Sequence, residues 1–295
     1  MPSLKDLRNR ISSVKSTKKI TSAMKMVAAA KLRKAQENAM QARPYSDKLY
    51  NIVQTLVSNP GQNFEKPSLI SGSEKDIAEL IVVCSADRGL CGGFNGSIIR
   101  YTKNKIKELD KKGRKSKLIF VGKKAFQSLK REKGEDIIKV FSDVTNKNID
   151  FDLAKEISNI IISSFNEEKF DTCKLIYTQF NSAINQIVKE KSLIPLIQEN
   201  ESFKDNLKTD SQDYHYEPDE ESILNNVVPQ NLSVQVFTAL LESIASEQGA
   251  RMTAMDNATR NANDMIDNLT LFYNRSRQAV ITKELIEIIS GAEAI

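Results

Sequence analysis

Residues 4–36 read LKDLRNRISSVKSTKKITSAMKMVAAAKLRKAQ, and their spacing decides the fold. Pro2 and Ser3 precede the run, and Asp6 stands three residues after Ser3, the pattern of a helix N-cap with its capping-box partner. No glycine follows before Gly61, and Pro44 is the only proline inside the pattern. Apolar or small residues recur at heptad spacing: Leu4, Leu7, Ile11, Val14, Thr21, Ala28, Leu32, Ala35, Ala39, Ala42, Leu49, Val53 and Leu56. Ile20, Met24 and Val27 lie beside that seam and are expected to widen it. A 3.5-residue repeat held over about seven heptads predicts a left-handed coiled coil rather than a helix docked on a globule. At ~1.5 Å per residue the helix would run roughly 80 Å.

The last segment repeats the pattern from about residue 231 to 290. Its stripe is Leu232, Val236, Phe237, Leu240, Leu241, Ile244, Met252, Met255, Ala262, Ile266, Leu269, Phe272, Val280 and Ile286, with Gly249 as the only breaker. Pro229 either starts this helix or kinks a shorter one that begins near Asp219. Two such helices at opposite ends of one chain can pair antiparallel, and the alanines of the first allow close approach. Between them, IAELIVVC (77–84) and KLIFVG (117–122) are short runs of the kind buried in parallel sheets. Further strands are expected at 137–141 and 173–180, with helices at 97–112, 123–133 and 151–167. The run 184–196 is a candidate edge strand that Pro195 limits, and 199–212 reads as a loop. Strand–helix alternation of this kind gives a small α/β domain with a mostly parallel, Rossmann-like sheet. The expected organisation is thus α/β: a coiled-coil helix at 1–60, an α/β domain at 75–215 and a second coiled-coil helix at 219–295.

Eleven glycines and seven prolines are sparse punctuation for 295 residues, which favours long uninterrupted helices. Apolar runs are too short to span a membrane, and MPSLKDLRNR has no apolar core of a secretory signal. Three cysteines and a single histidine argue against a disulfide framework and against a histidine-based metal or acid–base site. These features predict a soluble protein of a reducing compartment. The net charge is only +5, yet residues 1–48 carry twelve Lys/Arg against Asp6, Glu37 and Asp47, a local net of +9. Residues 231–295 carry five Lys/Arg and eight Asp/Glu, a net of −3, so the two ends attract if they lie side by side.

Few segments carry candidate chemistry. SADRGLCGGFN (85–95) follows the first strand and precedes a helix, where a phosphate-cradling loop would stand. Its spacing fits neither G-x-G-x-x-G nor G-x-x-x-x-G-K-[ST], so a structural or partner-contacting turn is the stronger reading. Cys91 has no neighbouring base or resolving thiol and reads as a buried or contact cysteine. His215, between Asp213 and Glu217, reads as a solvated or interface residue rather than a ligand. The basic first helix has the charge to track a phosphate backbone, but no aromatic precedes Tyr45 to stack on a base. Composition leaves the coiled coil as either an arm in solvent or a rod sheathed by other chains.

Three stretches choose between these. Residues 4–36, residues 245–262 (ASEQGARMTAMDNATRNA) with 273–294 (YNRSRQAVITKELIEIISGAEA), and the DRGLCGGFN turn at 87–95 together resemble the γ subunit of bacterial-type F-type ATP synthases. The motifs bracket the whole chain, and 100–212 is the poorest match. The resemblance implies a shaft without a catalytic site or cofactor of its own. The paired helices would stand inside a hexamer of α and β subunits, with the α/β domain on the c-ring beside the ε subunit. Association with the cytoplasmic face of the inner membrane would then be peripheral, through the complex, and no nucleic acid would be bound. By position, the resemblance makes Met24 and Lys25 contacts to the hexamer. Arg251, Arg277, Gln278, Thr282, Glu284 and Glu287 would form a polar catch on it. Tyr214, Tyr216 and Glu217 would contact the c-ring, with His215 departing from the apolar residue expected between the tyrosines. No inserted cysteine pair of the redox-regulated plastid type occurs.

Overall fold

The computed structural model describes residues 3–58, 67–73, 75, 77–144, 150–196 and 220–293. In chain order these form α1 (Leu4–Ser58), α2 (Ser68–Ser71), β1 (Ala78–Cys84), α3 (Phe94–Lys111), β2 (Lys115–Val121), α4 (Lys123–Lys133), β3 (Ile137–Phe141), α5 (Phe151–Asn166), β4 (Thr172–Phe180), β5 (Gln186–Ile194) and α6 (Glu220–Glu293). They divide into two compact units. One is Lys31–Ala250; the other joins Met1–Ala30 to Arg251–Ile295.

The larger unit is built on a five-stranded sheet of order β3-β2-β1-β4-β5. The first four strands are parallel, and β5 returns antiparallel beside β4 through a short hairpin. The edge strand expected at 184–196 therefore forms, at Gln186–Ile194, and makes the sheet mixed. Every residue of β1 is buried, as a central strand covered on both faces requires. Leu80, Val82 and Cys84 pack with Ile157 and Ile161 of α5 and with Leu232, Val236 and Leu240 of α6. Ile81 and Val83 face the other way, onto Ile98 and Ile106 of α3 and Leu129 of α4. A smaller cluster joins Val53 of α1, Ile70 of α2, Leu196, and Leu224 and Val228 of α6.

Close approach of α6 to the β4–β5 hairpin explains the small residues of 245–250. The Ser246 hydroxyl donates to the Thr178 carbonyl at 3.0 Å. A Cβ on Gly249 would stand 3.1 Å from the Phe180 ring and 3.4 Å from the Ala183 Cα. Gly249 thus serves packing and does not break the helix. Pro229 does not start α6 either, because the helix begins at Glu220 and carries the proline inside.

In the smaller unit α1 opens as the capping pattern predicts. The Asp6 amide donates to the Ser3 hydroxyl (3.2 Å) and the Ser3 amide to the Asp6 carboxylate (3.3 Å). Leu7, Thr21 and Ala28 of the predicted seam are buried, as are Met255 and Ala262 of α6. Ile20 and Val27 do not widen it, being 59% and 57% exposed. Each precedes a buried seam residue by one, a rotation of ~100°, and a seam of small side chains leaves that flank in solvent.

Candidate functional site

The glycine turn after β1 lies at the switch point of the sheet, where β2 and β4 flank β1 on opposite sides. The side chains of Asp87 and Asn95 hold the turn itself, while the Arg88 side chain is exposed. The buried Asp87 carboxylate accepts the amides of Lys123 (3.2 Å) and Asp143 (3.0 Å), tying the loops after β2 and β3 to it. Asn95 accepts the Ala86 amide (3.1 Å) and donates to the Cys91 sulfur (3.1 Å). Cys91 is 1% exposed, so the buried reading of this thiol holds. Burial pushes the Cys84 thiol up to about 12 and holds the Cys173 thiol well above its ordinary range, so neither is a nucleophile at neutral pH. The described residues hold no group of three His, Cys, Asp or Glu able to bind a metal. No described helix is long and apolar enough to cross a membrane.

The smaller unit presents a different arrangement. Three cross-helix contacts set its register: Arg8 with Tyr273, Thr21 with Thr259 and Lys25 with Asp256. Each step up α1 is matched by a similar step down α6, which makes the pair antiparallel. The Arg8 guanidinium donates to the Tyr273 hydroxyl at 3.0 Å and lies 5.9 Å from its ring centre. Lys25 Nζ is 2.6 Å from Asp256 Oδ1, and Arg260 reaches Asp256 Oδ2 at 2.7 Å. The hydrogen bond from Lys25, helped by the Arg260 charge, holds the Asp256 carboxyl below its ordinary range.

Extended along the helices, this register places Leu4, the first residue of α1, opposite about residue 277. Beyond that level α6 runs on to Glu293, past the first residue of α1. Every side chain from 277 to 290 is exposed, including Ile281 (54%), Leu285 (56%) and Ile288 (70%). Val280 and Ile286, read as seam positions, are exposed too, because α1 does not reach their level; Phe272, also read as a seam position, is 43% exposed on the stretch that α1 does reach, turned away from the seam.

The predicted contact residues fall into two groups. Met24 and Lys25 are half-buried at the Asp256 level, and Arg251 is half-buried on α6 nearby. Arg277, Gln278, Thr282, Glu284 and Glu287 lie on the unpaired end, all exposed. Glu287 pairs with Lys283 at 3.5 Å. Twenty-one residues separate Asp256 from Arg277, roughly 30 Å along one helix, so these two groups form no single site. Tyr214, Tyr216, Glu217 and His215 lie outside the described residues. The sequence reading missed Asp256 and Arg260, whose signal was an acid four residues before a base in a helical stretch.

Comparison with known proteins bears on the whole chain. The family model described as ATP synthase matches residues 3–295. The ATP synthase gamma chain of Pelagibacter ubique is 50% identical over 295 residues, and that of Rhodospirillum rubrum 52% over 299, each covering 100% of both chains. Among solved structures, the central stalk and c-ring of Tetrahymena thermophila mitochondrial ATP synthase contains a chain that superimposes with a TM-score of 0.58. It is 26% identical, and the match covers 81% of this chain and 99% of that one. The family model and the gamma-chain relatives match this chain from end to end, and the chain belongs to the ATP synthase gamma-chain family.

Proposed function

We propose that the chain is the central rotor shaft of an F-type ATP synthase. It couples ion-driven rotation of a c-ring to conformational cycling of catalytic β subunits and holds no catalytic residue itself. One observation carries the mechanism: the unpaired end of α6, with Ile281, Leu285 and Ile288 exposed among Arg277, Gln278 and Glu284. A lone helix of some sixteen residues is marginal in water, and apolar side chains that no described residue covers favour a covering partner. A sleeve of α and β subunits meets that need, while the polar residues between keep adhesion low enough for turning. The basic surplus of residues 1–48, leaving aside Lys25 and Arg43, which meet acids of this chain, suits acidic loops of the same sleeve.

On this reading Met24, Arg251, Arg277, Gln278, Thr282, Glu284 and Glu287 contact the hexamer, and Tyr214, Tyr216 and Glu217 the c-ring. Residues 1–60 and 219–295 supply the shaft and 75–215 the foot, beside the ε subunit. The complex holds the chain peripherally at the cytoplasmic face of the inner membrane. Each shaft orientation favours a different β conformation, so coupling is limited to that difference in interaction energy.

The experiment is reconstitution with purified α and β subunits and an assay of cooperative ATP hydrolysis. A stable complex whose turnover depends on this chain, and drops when Arg277 and Gln278 become alanine, is the expected outcome. Failure to form a complex overturns the reading.

A further inference from the structure

We infer that Asp256 is the positioning residue that fixes the register of α1 on α6, and that Lys25 serves this pairing instead of a neighbouring subunit. The inference deepens the shaft reading, since the turn it fixes is the one carrying Met24.

The seam around this level is made mostly of small side chains. Ala28 is 1% exposed and Ala262 6%, and Thr21 lies at 9%. Such a seam lets two helices approach closely, and its large buried member here, Met255 at 5% exposure, is unbranched and adaptable, a poor knob against sliding by a turn. Register must then come from polar pairs, the best-attested role of polar groups in helix seams. Asp256 fits that role because both of its oxygens are engaged. Oδ1 takes Lys25 of the opposite helix at 2.6 Å, and Oδ2 takes Arg260 one turn along its own at 2.7 Å. Arg260 orients the carboxylate, and the carboxylate aims at Lys25. The Thr21 and Thr259 hydroxyls, 2.8 Å apart, lie one turn further along each helix and give a second polar contact in the same register. With its ammonium held this way, Lys25 has its charge answered within its own chain. Met24, the next residue and half-buried, takes its angular position from the same turn.

The test reads register directly in the full-length chain, with spin labels on the exposed residues Ser16 of α1 and Met265 of α6. The parent chain is expected to give one narrow distance distribution. Asp256→Ala broadens it and adds a component displaced by about one helical turn, ~5 Å. Asp256→Glu and the exchange Lys25→Asp with Asp256→Lys restore the narrow distribution, although the exchange brings a second cation within one turn of Arg260. An unchanged distribution in Asp256→Ala overturns the inference, as does broadening that neither rescue reverses. In a whole complex that includes the c-ring and membrane sector, reconstituted in sealed vesicles, Asp256→Ala lowers the number of ions pumped per ATP hydrolysed, and the exchange recovers it. If Lys25→Ala weakens assembly while Asp256→Ala does not, Lys25 is a subunit contact and the inference fails. The label experiment needs no other subunit, so failure of the parent chain to assemble counts against the shaft reading and leaves the register result standing.

Discussion

The Arg114 guanidinium meets the Glu79 carboxylate at 3.3 Å in the interior of the larger unit, where the Glu79 side chain is only 2% exposed. Glu79 sits near the start of β1 and Arg114 just before β2, so the pair ties two adjacent parallel strands at one end of the sheet. Lys105 of α3 lies 3.9 Å from the other Glu79 oxygen, which makes no hydrogen bond, and 2.9 Å from Glu190. Arg114 also donates to the Thr172 hydroxyl of β4 at 2.9 Å.

Removing one partner of such a pair leaves a charge in a medium that cannot solvate it. Arg114→Met is therefore expected to lower unfolding free energy by about 3 kcal/mol. Arg114→Met combined with Glu79→Gln should recover much of that loss, since no uncompensated charge remains. Urea denaturation of the three variants checks both statements. A double variant no better than the single one would mean that packing around Arg114, and not charge, sets the cost.

Gly122 tests the turn at the sheet's switch point. Its φ is +97°, and a Cβ there would stand 2.0 Å from the Ser85 carbonyl oxygen, a backbone atom with no freedom to withdraw. Gly122→Ala combines a left-handed strain of ~1–2 kcal/mol with a steric clash. It should leave little folded protein, while Gly89→Ala, with open space around it, should melt within a few degrees of the parent. Thermal unfolding by circular dichroism separates the two.

Acid sensitivity follows from Asp171. Burial raises its carboxyl, but the amides of Ala78 (2.8 Å) and Ile77 (2.7 Å), with Ser73 and Arg114, outweigh burial and hold it below the ordinary range. A depressed folded-state value contributes stability that is complete above the unfolded value, ~4, and is lost as pH falls through the folded one. Glu190 behaves alike: burial raises it, but hydrogen bonds from Lys174 and Lys105 bring it below normal. Unfolding free energy should therefore be level near neutrality and fall with acidity below about pH 4. Asp171→Asn should flatten that slope while lowering stability at pH 7. An unchanged slope would assign the acid loss to other carboxylates.

Much of this was legible in the sequence, and the gaps have physical causes. Heptad spacing picked out Leu7, Thr21 and Ala28 because burial in a two-helix seam repeats locally. The all-buried β1 announced a central parallel strand, even though its Glu79 gave no sign of the interior pair that depends on Arg114, thirty-five residues away. Gly249 read as a breaker because periodicity does not report what lies opposite a helix, here Phe180 and Ala183. Lys25 was legible as a position of interest, but its partner Asp256 depends on an antiparallel register that no local pattern specifies. The same register decides where α1 stops covering α6, and hence why Val280 and Ile286 continue the stripe yet stay exposed.

That uncovered end gives the last prediction. Ile281 and Leu285 are more than half exposed, on a stretch of α6 that α1 does not reach, so their loss costs the free chain little. Ile281→Asp with Leu285→Asp should change the unfolding free energy of the isolated protein by no more than ~0.5 kcal/mol per site, the range of ordinary surface substitutions. The same pair in a reconstitution with α and β subunits should weaken assembly by about ten-fold or more, as loss of a buried apolar anchor does at an interface. The contrast between the two measurements is the informative quantity. A large loss in the free chain would mean that these residues are covered within the protein. Equal assembly of variant and parent would mean that no sleeve closes on α6 beyond residue 277, and that the shaft is gripped elsewhere.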